Sequence, residues 1–134
     1  MITFTQKNKK IKRDINNYTP FAVLYSNSSQ ETVKIKFQGE SSITVNDSFM
    51  SISSRLLADC CVLHSYKTTY GCLSLNISPY FDIIVEKISD SETIIYYPTD
   101  DEKKGYIVLG NAEHIFCEIE KTQKLIKHFE KINE

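Results

Sequence analysis

The stretch that most constrains this chain is 31–38, ETVKIKFQ, where apolar and polar residues alternate without a break. Val33, Ile35 and Phe37 fall on one side of an extended chain, and Thr32, Lys34, Lys36 and Gln38 on the other. A period of two marks a strand with one wet face, which is typical of antiparallel sheets. Further strand-like pieces recur at 20–26, 42–45, 70–77, 80–88, 92–97 and 105–109. The links around Asp90-Ser91 and from Pro98 to Gly105 are short. A parallel crossover needs about a dozen residues, so hairpins are expected.

The period changes at 47–64. Phe49, Ile52, Leu56, Leu57, Cys60 and Leu63 share one broad face at helical spacing, with Ser51 and Arg55 opposite. Asn46 or Asp47 would cap the helix by accepting a free backbone N–H. From Asn111, itself a suitable cap, Ala112, Ile115, Phe116, Ile119 and Ile126 form a second stripe. Leu125, Phe129 and Ile132 lie about a quarter-turn round from it, which places a bend near 121–123. A helix over about 112–132 is preferred; the alternative is a strand at 115–119 with Ile115, Cys117 and Ile119 on one face. The expected fold is α+β: one domain over 1–134, with a mainly antiparallel sheet of about five to seven strands. Two helices, 47–64 and 112–132, would pack together on one face of it.

The chain has 134 residues, 41% of them hydrophobic, enough to bury a core without disulfides or metal. The basic N-terminus has no apolar segment behind it, and apolar runs reach only about four residues where a membrane span needs about 20. Cys60, Cys61, Cys72 and Cys117 do not form a secreted disulfide framework. A cytoplasmic protein without membrane contact is the expectation.

Chemistry-bearing patterns are thin. Cys60 and His64 stand at i, i+4 on the expected helix, a spacing that lets two side chains share a metal, but no second pair of ligands accompanies them. None of the cysteines carries a nucleophile signature. His64, His114 and His128 offer groups that titrate near neutrality. A nuclease or hydrolase built on them would bring at least two into one pocket with a Lys or Asp. A ligand-binding or oligomeric regulatory domain would instead show a large apolar cavity or an exposed apolar face. Gly39, Gly71, Gly105 and Gly110 are too scattered to form a phosphate-binding loop. Neither a cofactor, a metal nor a catalytic residue is expected.

Charge is uneven along a chain whose total is only −1. Residues 7–13, KNKKIKR, hold five basic groups and no acid. They lack interleaved aromatics beyond Phe4 and Tyr18, so with a negative total, direct nucleic-acid binding is not expected. Residues 82–102 hold seven carboxylates against Lys87 alone, a local charge of −6. There Asp90, Glu92, Asp100, Asp101 and Glu102 would form an acidic rim around Tyr96 and Tyr97. Acidic rims steer basic partners and aromatic residues anchor interfaces.

In this motif-poor α+β character, in its Lys-, Ile-, Asn- and Ser-rich composition and in its acidic, Tyr-bearing stretch, the chain resembles small bacterial immunity proteins. These neutralise contact-dependent or other polymorphic toxins. The resemblance implies a non-enzymatic inhibitor that binds a cognate toxin domain, such as a nuclease, and occludes its active site. Asp90, Glu92, Tyr96, Tyr97, Asp100, Asp101 and Glu102 are the expected contact residues.

Overall fold

The computed structural model describes residues 2–27, 31–58 and 61–132. Strands β1 (Ile2–Gln6) and β2 (Lys9–Arg13) come first, followed by β3 (Phe21–Ser26), β4 (Thr32–Phe37) and β5 (Ile43–Val45). Helix α1 (Phe49–Ala58) precedes β6 (Leu63–Thr68), β7 (Gly71–Asn76), β8 (Ile84–Lys87), β9 (Glu92–Tyr96) and β10 (Tyr106–Leu109). Helix α2 (Ala112–Ile132) closes the described chain. Among the described residues all pairings are antiparallel, in three sheets: β1-β2, β5-β4-β3-β7-β6 and β10-β9-β8. The fold is α+β with a five-stranded main sheet, as the alternation and short links required.

The main sheet is covered on both sides at its centre. Along β3, Phe21 and Val23 enter one core, with Ile2, Phe4, Val33, Ile35, Phe37, Ile52 and Leu56. Ala22 enters the other, with Leu73, Leu75, Ile77, Ile95, Val108, Ile115 and Ile119, and Leu24 packs against it. Successive strand residues point to opposite faces, so the β1-β2 hairpin and α1 lie on one side. The β8–β10 sheet and α2 lie on the other. The helices therefore do not share a face as expected: each has its own core. Full burial of a Phe, Ile or Leu side chain contributes roughly 1.5–3 kcal/mol relative to exposure, so these two cores dominate the favourable side of folding.

Several boundaries differ from the sequence reading. Helix α1 is shorter than 47–64, and from Leu63 the chain is strand, paired with β7 from Leu63↔Asn76 to Thr68↔Gly71. That ladder is a non-local interaction that a helical periodicity over 47–64 does not register. The α1 cap is Ser48, whose Oγ accepts from Ser51 N at 3.1 Å. Asp47 instead joins layers: it accepts from Thr5 N at 2.7 Å and pairs with Arg55 at 2.6 Å. Strand β8 begins at Ile84, because Phe81 N donates to Ser78 O in a turn. Strands β1 and β2 lie in a segment read only as charged, although Ile2 and Phe4 alternate inward. Helix α2 spans 112–132 as expected, capped by Asn111 Oδ1 on His114 N at 3.1 Å, so 115–119 is helical. Its far half is fastened by Gln123 to the Ser78 and Phe81 carbonyls, and by Glu130, which accepts from the hydroxyls of Tyr18 and Tyr80. Among the described residues no helix is long and apolar enough to cross a membrane.

Candidate functional site

The segment 82–102 forms most of the small β10-β9-β8 sheet and the turn that joins β9 to β10. On its inner face Val85, Thr93, Ile95, Tyr106 and Val108 point toward α2 and the main sheet. Alternation then sends Ile84, Glu86, Glu92, Ile94, Tyr96, Ile107 and Leu109 outward. Nothing covers this outer face among the described residues: Ile84 is 50% exposed, Ile88 49%, Ile107 51% and Leu109 42%. Glu86 sits opposite Ile94, and Glu92 opposite Leu109. Asp82 and Asp90 are exposed at its margins. An aliphatic centre with a carboxylate rim is unusual for a free surface, where large apolar patches mark contact sites.

The seven residues expected to meet a partner separate into groups. Glu92 and Tyr96 lie on the outer face and are half-buried, while Asp90 is exposed in the β8–β9 turn and pairs with Lys87 at 2.9 Å. Tyr97 faces inward and is 3% exposed; its ring meets Phe81 edge-on and its hydroxyl donates to Asn76 O at 2.5 Å. Burial raises its pKa far above that of an ordinary phenol. Tyr97 is therefore a core residue and presents no anchor to a partner, because one step along a strand reverses the side-chain direction.

Asp100, Asp101 and Glu102 are engaged within the 98–105 turn. Asp100 accepts from Lys104 N at 3.2 Å and from Gly105 N. Gly105 has φ +77, and the side chain of Ile94 lies where a β-carbon would stand, so glycine is required at this exit from the turn. Asp101 accepts from Lys36 Nζ at 2.7 Å and Gly39 N at 3.3 Å, joining the turn to β4. The Lys36 ammonium is the main reason its carboxyl stays below the usual aspartate range. Glu102 pairs with Lys104 at 2.7 Å. These carboxylates shape the turn, so the free acidic character sits mainly with Asp82, Glu86 and Glu92, for which no ion pair forms among the described residues. A cleft of about 740 Å³ runs beside the outer face, lined by Asp82, Glu86, Tyr96, Asp100, Asp101 and Lys103 among others.

A second cleft, of about 480 Å³, lies where β6 passes β10 and the start of α2. It brings His64 and His114 together with Glu118, a convergence that single-sequence spacing does not reveal. His64 sits on strand β6, not on a helix, so its i, i+4 relation to Cys60 does not place the two on one face; Cys60 itself lies outside the described residues. Both ring nitrogens of His64 are engaged, Nε2 with Thr122 Oγ1 at 2.9 Å and Nδ1 with Tyr66 Oη at 3.3 Å. Burial lowers its pKa, against a smaller opposing pull from Glu118. Lys67 borders the cleft, but alternation along β6 directs its side chain with Leu63 and Ser65 to the other face of the sheet. His128 is on the exposed side of α2, beside Phe129. Among the described residues no three His, Cys, Asp or Glu side chains gather as a metal site. Comparison with protein-family models, curated proteins and solved structures found no match.

Proposed function

We propose that the protein is a non-enzymatic inhibitor of the immunity type, which binds a cognate toxin domain and occludes its active site. One observation carries this reading: the outer face of the β10-β9-β8 sheet leaves Ile84, Ile88, Ile107 and Leu109 exposed inside a rim of Asp82, Glu86, Asp90 and Glu92. Such a face suits a partner with an apolar centre and basic margins; the basic surface of a nuclease would meet the rim. Desolvation of the isoleucines would hold the complex, and the carboxylates would raise the association rate and select the partner. Relative to the sequence expectation, Tyr97 leaves the contact set, and Ile84, Ile107 and Leu109 join Tyr96 in it.

The test is protection. The chain is co-expressed with the toxin-type domain encoded beside it, and the purified pair is examined for a one-to-one complex. Wild type is expected to restore growth, while Ile107→Lys with Glu86→Lys weakens binding by at least about a hundredfold, or roughly 3 kcal/mol. No protection by wild type, or no such neighbouring domain, overturns the reading.

A second reading has the His64–His114 cleft as its support: acid–base catalysis on a small substrate. The occupied ring nitrogens of His64 favour a clamp between β6 and α2 instead. Hydrolysis of a phosphodiester substrate by purified protein, abolished in His64→Gln, would establish catalysis.

A further inference from the structure

The basic run 7–13 becomes, in the fold, a two-stranded ribbon with distinct faces. Phe4 and Ile11 pair across β1 and β2 and turn inward onto the core. The alternate pairs, Thr3↔Lys12 and Thr5↔Lys10, turn outward; Lys7 stands in the tip, and Lys9, paired with Gln6, is exposed beside the tip on the side of the alternation that Ile11 shares. Lys7 holds a φ of +54, a left-handed conformation that favours Gly or Asn, so a lysine occupies the tip against local backbone preference. Lys7, Lys9, Lys10 and Lys12 are all exposed, and none forms an ion pair among the described residues. The nearby acids do little to neutralise them. Glu40 is held by Arg13 at 3.1 Å, and Asp47 by Arg55 and Thr5 N. Asp14 alone stays exposed beside the ribbon without such a partner among the described residues.

The near-zero net charge conceals this face. The ribbon packs on one side of the main sheet and the acidic β10-β9-β8 sheet on the other. Opposite charges that cancel in the composition are thus separated by two layer spacings of about 10 Å each, more than a Debye length of about 8–10 Å in ordinary buffers.

We propose that the outward face of the β1-β2 ribbon together with its tip is a binding site for duplex nucleic acid, which it contacts through the phosphates. A two-stranded ribbon fits a major groove, and duplex DNA carries one charge per about 1.7 Å of axis. Lys10 and Lys12, two residues apart, span about 6.8 Å along their strand, the axial reach of about two phosphates of one DNA strand. Thr3 and Thr5 add hydroxyls of the kind that donate to phosphate oxygens. No aromatic ring projects from this face, so the base stacking on which single-strand binding depends is missing. No apolar side chain projects from it either, so it has nothing to insert into a lipid surface. The contact is independent of the sheet face assigned to a toxin, and its test does not require that toxin.

The experiment is fluorescence anisotropy of the full chain with a labelled duplex of about 20 base pairs at roughly 50 mM salt, the regime where counterion release favours binding. Expected is a Kd on the order of 10 μM, with log Kd rising against log salt with a slope near 3.6 for four phosphates. The Lys9→Gln/Lys10→Gln/Lys12→Gln variant should weaken binding by at least about tenfold and bring the slope toward about 1. Glu86→Lys on the opposite side should not reduce it. Absence of duplex binding at low salt, binding insensitive to the triple variant, or equal or tighter binding to single strands or to anionic vesicles overturns the proposal.

Discussion

The Tyr97 hydroxyl donates to the Asn76 carbonyl oxygen at 2.5 Å from within an apolar core, while neighbouring Tyr96 lies on the outer sheet face. Tyr97→Phe leaves that carbonyl without this donor and should cost about 1–2 kcal/mol, read from urea unfolding, with no effect on partner binding. A comparable loss of affinity at unchanged stability would contradict its placement in the core. His64 makes the opposite kind of prediction, one in pH. Its folded pKa lies below the ordinary imidazole value because burial penalises the cation. The unfolded chain therefore takes up the proton first as pH falls, and stability rises with pH across this window. The contribution is full above the ordinary imidazole pKa and declines as pH drops from there to the lowered folded value. A melting-temperature series over roughly pH 5–7.5 should show this decline in wild type and a flatter profile in His64→Gln.

Among the elements, the β3–β7 pairing is the seam on which both cores depend. Gly71 lies opposite Ser26 on β3, and a β-carbon there would collide with the Tyr25 carbonyl. Gly71→Ala has to push backbone aside and should destabilise by about 1–3 kcal/mol. Thermal unfolding measures this, and a neutral outcome would mean that the two strands can separate locally without loss. The elements were unequally legible in the sequence. Strand β4 showed clearly because its alternation continues through one-sided burial, and helix α2, preferred over a strand at 115–119, is capped by Asn111 where a cap was expected. Strand β6 was hidden because the helical pattern takes in Leu63 and His64 and no period marks Ser65-Tyr66-Lys67-Thr68, which gain their strand character from the ladder with β7. The hairpin β1-β2 was hidden by its own lysines.

At the scale of the whole molecule, the main sheet separates an acidic, aliphatic face from a basic ribbon. Residues on the outer sheet face contribute little to the core, so Ile107→Lys should leave unfolding free energy within about 0.5 kcal/mol of wild type while weakening toxin protection. A large destabilisation instead would show that Ile107 supports the sheet, and the affinity loss would then carry no information about an interface.

The sequence by itself determined the α+β class, the antiparallel pairing and the acidic character of 82–102, because period, link length and charge are local properties of the chain, while a strand at 115–119 stayed open as the alternative to the start of α2. Only the tertiary structure decided that the helices occupy opposite faces, that Tyr97 turns inward and Tyr96 outward, and that Asp100 and Asp101 brace a turn. It also decided that His64 and His114 line one cleft, and that charges nearly balanced in composition stand apart in space. Each of these depends on strand register and on which layer covers which face, relations between distant residues that no window of sequence contains.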